Sequence, residues 1–160
     1  MRCEHLVQVH GPLRAPAAAI TRRHLWAALV LRAEDPTRFL PALHSCRIDR
    51  RESVSDELQR LHRTLDFGSF VVNDRATVTP DALVIDTRAG PTWPASRLAI
   101  RIEQPEPQSL FLRFIYESDD ITGEQPDAIT DALRRRAYEA ADLDMVARIR
   151  ELVEDGALGD

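Results

Sequence analysis

Lysine is missing from this sequence; all 21 basic residues are arginine. Without an ε-amine the chain has no Schiff-base chemistry and no phosphate-loop lysine. Cysteine is scarce as well. Cys3 and Cys46 are the only thiols and do not stand at a metal-ligand spacing, so neither a zinc ribbon nor a disulfide framework is supported. Cys46 has no identifiable base and is not read as a nucleophile. The five histidines, His5, His10, His24, His44 and His62, include no pair at helical spacing and no His-Glu-x-x-His, so no metal site is expected. A Gly-x-Ser-x-Gly elbow, a dinucleotide-binding glycine pattern and a phosphate loop are all missing, and no cofactor is expected. No apolar run approaches the roughly 20 residues that cross a bilayer. The first residues mix Glu4, His5, Gln8 and His10 into the apolar positions, unlike the apolar core of a secretory signal, and the expectation is a cytoplasmic protein.

What is present describes an ordinary folded domain. At 160 residues, 44% hydrophobic and 29% charged, the chain is large enough to bury a core and is read as one domain over residues 1–160. A net charge of −5 argues against nucleic-acid and anionic-membrane partners, which need a basic face. The run Arg134-Arg135-Arg136 is read as a solvated helix face. Glu117, Asp119, Asp120 and Glu124 lack the spacing of a calcium loop and are read as a solvated acidic loop.

Along the chain, residues 4–9 read as a strand and Gly11 to Ala19 as a Pro- and Ala-rich connection. Thr21 is a plausible N-cap for a helix running through His24 to Leu31 and ending before Asp35-Pro36. A second short helix is expected from Pro36 to Leu43, capped by Asp35. From Cys46 to Glu117, turn signals divide the chain into six strands with no helix between them, so the sheet should be an antiparallel meander. After the acidic loop from Ser118 to Glu124, a long helix is expected from about Asp127 to Val153. Its apolar stripe is Ile129, Leu133, Ala137, Ala141, Met145, Ile149 and Leu152.

That order of elements resembles the START, polyketide cyclase and birch-pollen-allergen (SRPBCC) superfamily over the whole chain. Within it the sequence resembles the AtaL-like family. The matching stretches are residues 4–9, residues 25–33, Phe67-Gly68, Asn73-Asp74-Arg75, residues 112–117, Ala137-Tyr138 and Ala141-Asp142. The resemblance implies an α+β helix-grip fold: a seven-stranded curved antiparallel sheet around a long C-terminal helix, with two short helices after strand 1 and a ligand cavity. It supplies no catalytic set.

Strand register locates the cavity lining, because side chains alternate between faces. A two-residue turn at Gly68-Ser69 pairs Leu65 with Val72, Arg63 with Asp74 and Leu61 with Ala76. Through Pro80-Asp81, Val78 meets Leu83, Ala76 meets Ile85 and Asp74 meets Thr87. In the last hairpin Ile102 is expected opposite Leu110, which sets Leu98 against Phe114 and Ser96 against Tyr116. The simplest closure places Thr87 opposite Ser96, so that Arg63, Asp74, Thr87, Ser96 and Tyr116 form one polar row on the inner face. This row is read as a cross-strand ion pair with three hydroxyls satisfying each other, as a group that orients a ligand whose apolar body is gripped by Leu61, Leu65, Val72, Leu98 and Phe114, or as both together.

On the long helix, Tyr138, Ala141, Asp142, Met145 and Ile149 share a stripe. Asp142 either faces water at its edge or joins a network over the cavity. Trp26 is read as core or as a cavity wall.

The residues favour a protein that binds a small, largely apolar molecule, aromatic or polyketide-like. A cofactor-free cyclase, dehydratase or isomerase with Asp74 as acid/base is the alternative. An interaction module using the polar outer face ranks third. Whether the chain pairs with a copy of itself is left open.

Overall fold

The structure, a computed structural model, describes residues 1–11, 19–119 and 128–159. Strand β1 (Arg2–His10) is followed by helix α1 (Arg22–Glu34) and a single 3-10 turn (Pro36–Arg38). Six strands come next: β2 (Ser45–Ser55), β3 (Leu58–Asp66), β4 (Val71–Thr79), β5 (Ala82–Thr87), β6 (Ser96–Glu106) and β7 (Ser109–Ser118). Helix α2 (Ala128–Glu154) closes the fold. The strands form one antiparallel sheet in the order β1-β7-β6-β5-β4-β3-β2. The meander supplies five of these pairings, and β1 then adds to β7. This is the α+β helix-grip architecture.

Alternation gives the sheet its two faces. Along β3 the residues Leu61, Arg63 and Leu65 turn inward and are buried, and on β1 Cys3, Val7 and Val9 do the same. The outer face carries Arg60, His62 and Thr64 opposite Thr77, Arg75 and Asn73. The two cysteines are free and stand on the two opposite edge strands of the sheet.

Helix α1 begins where expected. The Thr21 hydroxyl accepts the His24 N–H at 3.2 Å, and His24 Nδ1 accepts the Thr21 N–H at 3.0 Å, a reciprocal cap. The helix lies over the inner face with Leu25, Ala28 and Leu29 in the core. The second helix shortens to the 3-10 turn, because Pro41 has no N–H to donate to Thr37 and its ring would meet that carbonyl. Phe39 and Leu43 still enter the core, from irregular chain.

Two further expectations are corrected. In the β6–β7 hairpin Glu106 pairs with Ser109, and the ladder shifts between Glu103 and Glu106. Ile102 therefore meets Leu112, Leu98 meets Tyr116 and Ser96 meets Ser118. On α2 the N-terminal half of the stripe is solvent-facing: Ile129 is 75% and Leu133 61% exposed, and Ala137 and Ala141 are also exposed. Residues spaced strictly by four advance about 400° per step, so the run winds about 40° further around the helix each time and leaves the buried side. The buried side is Asp142, Met145, Val146, Ile149 and Leu152. The expected start of the helix at Asp127, and most of the connections 11–19 and 118–124, lie outside the described residues.

Candidate functional site

The inner face has a dry end and an open end. At the dry end Ile149 and Leu152 of α2 pack in one core with Val7, Val9, Leu110 and Leu112. Toward the other end the inward-facing side chains Val72, Thr87, Ser96, Leu98 and Tyr116 are only half-buried. Leu65, Phe114 and Met145, expected as cavity lining, are buried core positions.

The polar row is built in register: Arg63 pairs with Asp74, Asp74 with Thr87, and Thr87 with Ser96. Its next member is Ser118, not Tyr116. Arg63, 2% exposed, donates from Nε and Nη2 to the two oxygens of Asp74 at 2.7 and 2.6 Å. Its Nη1 donates to the carbonyls of Ala33 at 2.8 Å and Arg32 at 3.3 Å. Arg63 thus fastens the C-terminal turn of α1 to the sheet and supplies donors to carbonyls that a helix end leaves unpaired. The pair is a strut.

Tyr116 enters a different group. Its hydroxyl donates to Asp142 Oδ1, and His5 Nδ1 lies 3.1 Å from Asp142 Oδ2. The Tyr116 ring stacks on Tyr138, with centroids 3.9 Å apart and planes 9° from parallel. Asp142 is 1% exposed, so of its two sequence readings the network holds and the solvent edge does not. Burial pushes its carboxyl above the usual carboxylate range, and the bonds from Tyr116 and His5 work against that shift. Burial first, and then the bond to Asp142, push the Tyr116 phenol well above its ordinary value.

Three residues of this region escaped the sequence reading: His5, Ser118 and Arg32. Arg32 has the clearest signal. It follows Leu25, Ala28 and Leu29 by seven, four and three residues, so it sits in the middle of the apolar stripe of α1. Its side chain lies within electrostatic reach of Arg63, Asp74, Tyr116 and Cys46, all inward-facing. Burial, then the neighbouring Arg63, push its pKa down to about 10. Burial also pushes the Cys46 thiol up, away from a reactive thiolate.

On the other flank of α1 lies an apolar pocket of about 310 Å³, walled by Trp26, Val30, Leu61 and Val78. The Glu34–Arg51 pair, with two contacts of 2.6 and 2.7 Å, borders it. Trp26 is 43% exposed, a wall of this opening and not part of the core. A larger groove of about 810 Å³ runs over the outer face along Arg2, Glu117, Arg97, Asp86, Arg75 and His62. Arg63, Asp74, Thr87, Ser96 and Ser118 of the polar row also border that groove. It is a cross-strand ladder of alternating charge, with Arg97–Asp86 at 2.6 Å and Arg75–Asp86 at 3.4 Å. Among the described residues there is no cluster of His, Cys, Asp and Glu able to hold a metal ion, and no helix long and apolar enough to cross a membrane.

The fold and this inner face define a START-like, helix-grip protein. Over residues 10–156 the chain matches the family model AtaL, described as acetylaranotin biosynthesis cluster protein L, and it belongs to that family. No curated protein matches it. Among solved structures it is similar to the Zhui aromatase/cyclase from Streptomyces sp. R1128. That likeness has 11% identity and a TM-score of 0.57, and covers 98% of this chain and 95% of that one. It is similar to the di-domain ARO/CYC StfQ from the steffimycin biosynthetic pathway, with 13% identity and a TM-score of 0.60, covering 98% of this chain and 51% of that one. A START superfamily protein from Mycobacterium smegmatis matches with 13% identity and a TM-score of 0.57, covering 94% and 98%. At such identities the likeness establishes the fold.

Proposed function

We propose that the protein binds a small, largely apolar molecule, aromatic or polyketide-like, on the open end of the inner sheet face. One observation carries this reading. Val72, Leu98 and Tyr116 point into the fold yet remain half-buried, while the exposed N-terminal stripe of α2 turns its apolar side chains elsewhere. Apolar side chains left in this state beside polar Thr87 and Ser96 are the usual composition of a ligand site. Native mass spectrometry of gently purified protein should show a bound mass lost on denaturation. An empty protein whose melting temperature no apolar metabolite raises would refute the reading.

A second reading is a cofactor-free cyclase, dehydratase or isomerase, and the Tyr116–Asp142–His5 chain favours it. Asp74, the acid/base expected from sequence, has both oxygens engaged by Arg63 and is buried, so it is poorly placed to exchange a proton with substrate. Tyr116 is half-buried at the open end and hydrogen-bonded to a carboxylate that is itself held by an imidazole. Such a phenol can turn its O–H from Asp142 toward a developing enolate oxygen and stabilise it by hydrogen bonding while keeping its proton. The similar folds described as aromatase/cyclases support testing a polyketide-like molecule as substrate. Turnover lost in Tyr116→Phe with binding retained is the expected result; undiminished turnover removes Tyr116 from the chemistry.

A further inference from the structure

Arg32 is the one charged side chain on the sheet-facing stripe of α1, where Leu25, Ala28 and Leu29 are fully buried. Among the described residues its guanidinium has neither a hydrogen-bond nor an ion-pair partner, while its main-chain carbonyl accepts from Arg63 at 3.3 Å. The nearby acids are already engaged. Asp74 gives both oxygens to Arg63, and Asp142 accepts from Tyr116 and His5. Arg32 lies in the last turn of α1, whose C-terminal dipole eases its charge without pairing it. Two guanidiniums therefore stand at the open end of the inner face, and only one of them has a counter-charge. Arg32 is half-buried, so its guanidinium has neither a protein partner nor full solvation, and a planar, five-donor group of this kind is shaped for a carboxylate.

We propose that Arg32 receives the carboxylate of the bound molecule, so that the ligand is an organic acid whose apolar body lies along Leu98 and the stacked Tyr116 and Tyr138. The inference rests on the inner-face binding reading and narrows it to anionic ligands. The ligand completes a charge balance that the protein leaves open, with the neighbouring Arg63 adding positive potential.

The test uses the neutral fluorophore N-phenyl-1-naphthylamine as reporter of the inner-face site, displaced by either 2-naphthoate or its uncharged isostere 2-naphthamide. In the wild type at pH 7 the naphthoate should displace the reporter at concentrations at least about tenfold lower than the amide, the discrimination expected of one charge-assisted hydrogen bond. Arg32→Met should abolish that preference, keep reporter affinity and leave the melting temperature of the empty protein unchanged or higher. Arg32→Lys should retain part of the preference. Equal displacement by the two naphthalenes in the wild type, or a preference that survives Arg32→Met, overturns the anion inference while the binding reading stands. A lowered melting temperature in Arg32→Met would show that the guanidinium has a protein partner and would also overturn it. No reporter binding at all removes the inner-face reading, and the inference with it.

Discussion

Arg63 and Asp74 face each other in register on β3 and β4 and are joined by two parallel hydrogen bonds of 2.7 and 2.6 Å. Both are buried, so removing one partner strands the other's charge. Asp74→Ala should lower unfolding stability by about 3–5 kcal/mol, and Arg63→Ala by at least as much, because α1 also loses its fastening. Replacing the pair together, Arg63→Met with Asp74→Leu, fills the same space without charge and should recover most of the loss, as read from urea unfolding of the three variants. If the single variants unfold like wild type, the pair is not the strut described here.

Asp142 gives the molecule a pH dependence of definite sign. Its folded-state carboxyl titrates above its ordinary value of 3.8, with burial as the leading cause. Between those two values the folded state holds more protons than the unfolded one, so this group's contribution to stability is full below about 3.8 and declines as pH rises through the folded value. Asp142→Asn keeps an acceptor for Tyr116 and a donor for His5 but cannot ionise. The stability of wild type relative to this variant should fall as pH rises from that point, measured as paired urea midpoints. A flat difference would contradict it.

Tyr116 should resist ionisation. Burial and the bond to Asp142 hold its phenol above the ordinary tyrosine range, so its absorbance at alkaline pH should appear only as the fold is lost. The difference titration of wild type against Tyr116→Phe isolates it from Tyr138. An ordinary titration curve in the folded protein would show that the Tyr116–Asp142 contact is not maintained in solution.

Two bulky substitutions separate the two spaces beside α1. Leu98→Trp fills the open end of the inner face, and Val78→Trp fills the 310 Å³ pocket beside Trp26. Ligand binding should weaken at least about tenfold in the first and stay near wild type in the second. The reverse pattern would move the site to the Trp26 flank.

Much of this geometry is legible in the sequence, and the failures are specific. The pairing of Leu65 with Val72 and of Thr77 with Arg60 follows from a two-residue turn and from polarity, because a one-residue slip would put Arg and His into the core. The β6–β7 pairing escapes for the same reason in reverse. A two-residue slip leaves Leu98, Ile100 and Ile102 facing inward, so polarity cannot detect it, and Tyr116 falls into the wrong row. On α2, counting by fours follows small and apolar residues off the buried side, and Asp142 is hidden among them. Arg32 directly follows the apolar run Leu25 to Leu31 of α1, and that run conceals one charge at an inward position. A one-dimensional pattern assigns faces, but it does not say which polar group inside lacks a partner.

Strand β2, one of the two edges of the sheet, is built irregularly. The β2–β3 ladder is interrupted between Ile48 and Arg50 and again between Ser53 and Ser55. The strand therefore offers an incoming chain only the short runs Ser45 to Ile48 and Arg50 to Ser53, studded with Arg47, Arg50, Arg51 and Glu52. Bulges and charge of this kind deny a continuous template to another strand. Deleting Asp49 should straighten β2 and turn it into an aggregation seed, visible as light scattering in concentrated solution. Irregularity at this edge works against edge-to-edge pairing of copies in a crowded solution.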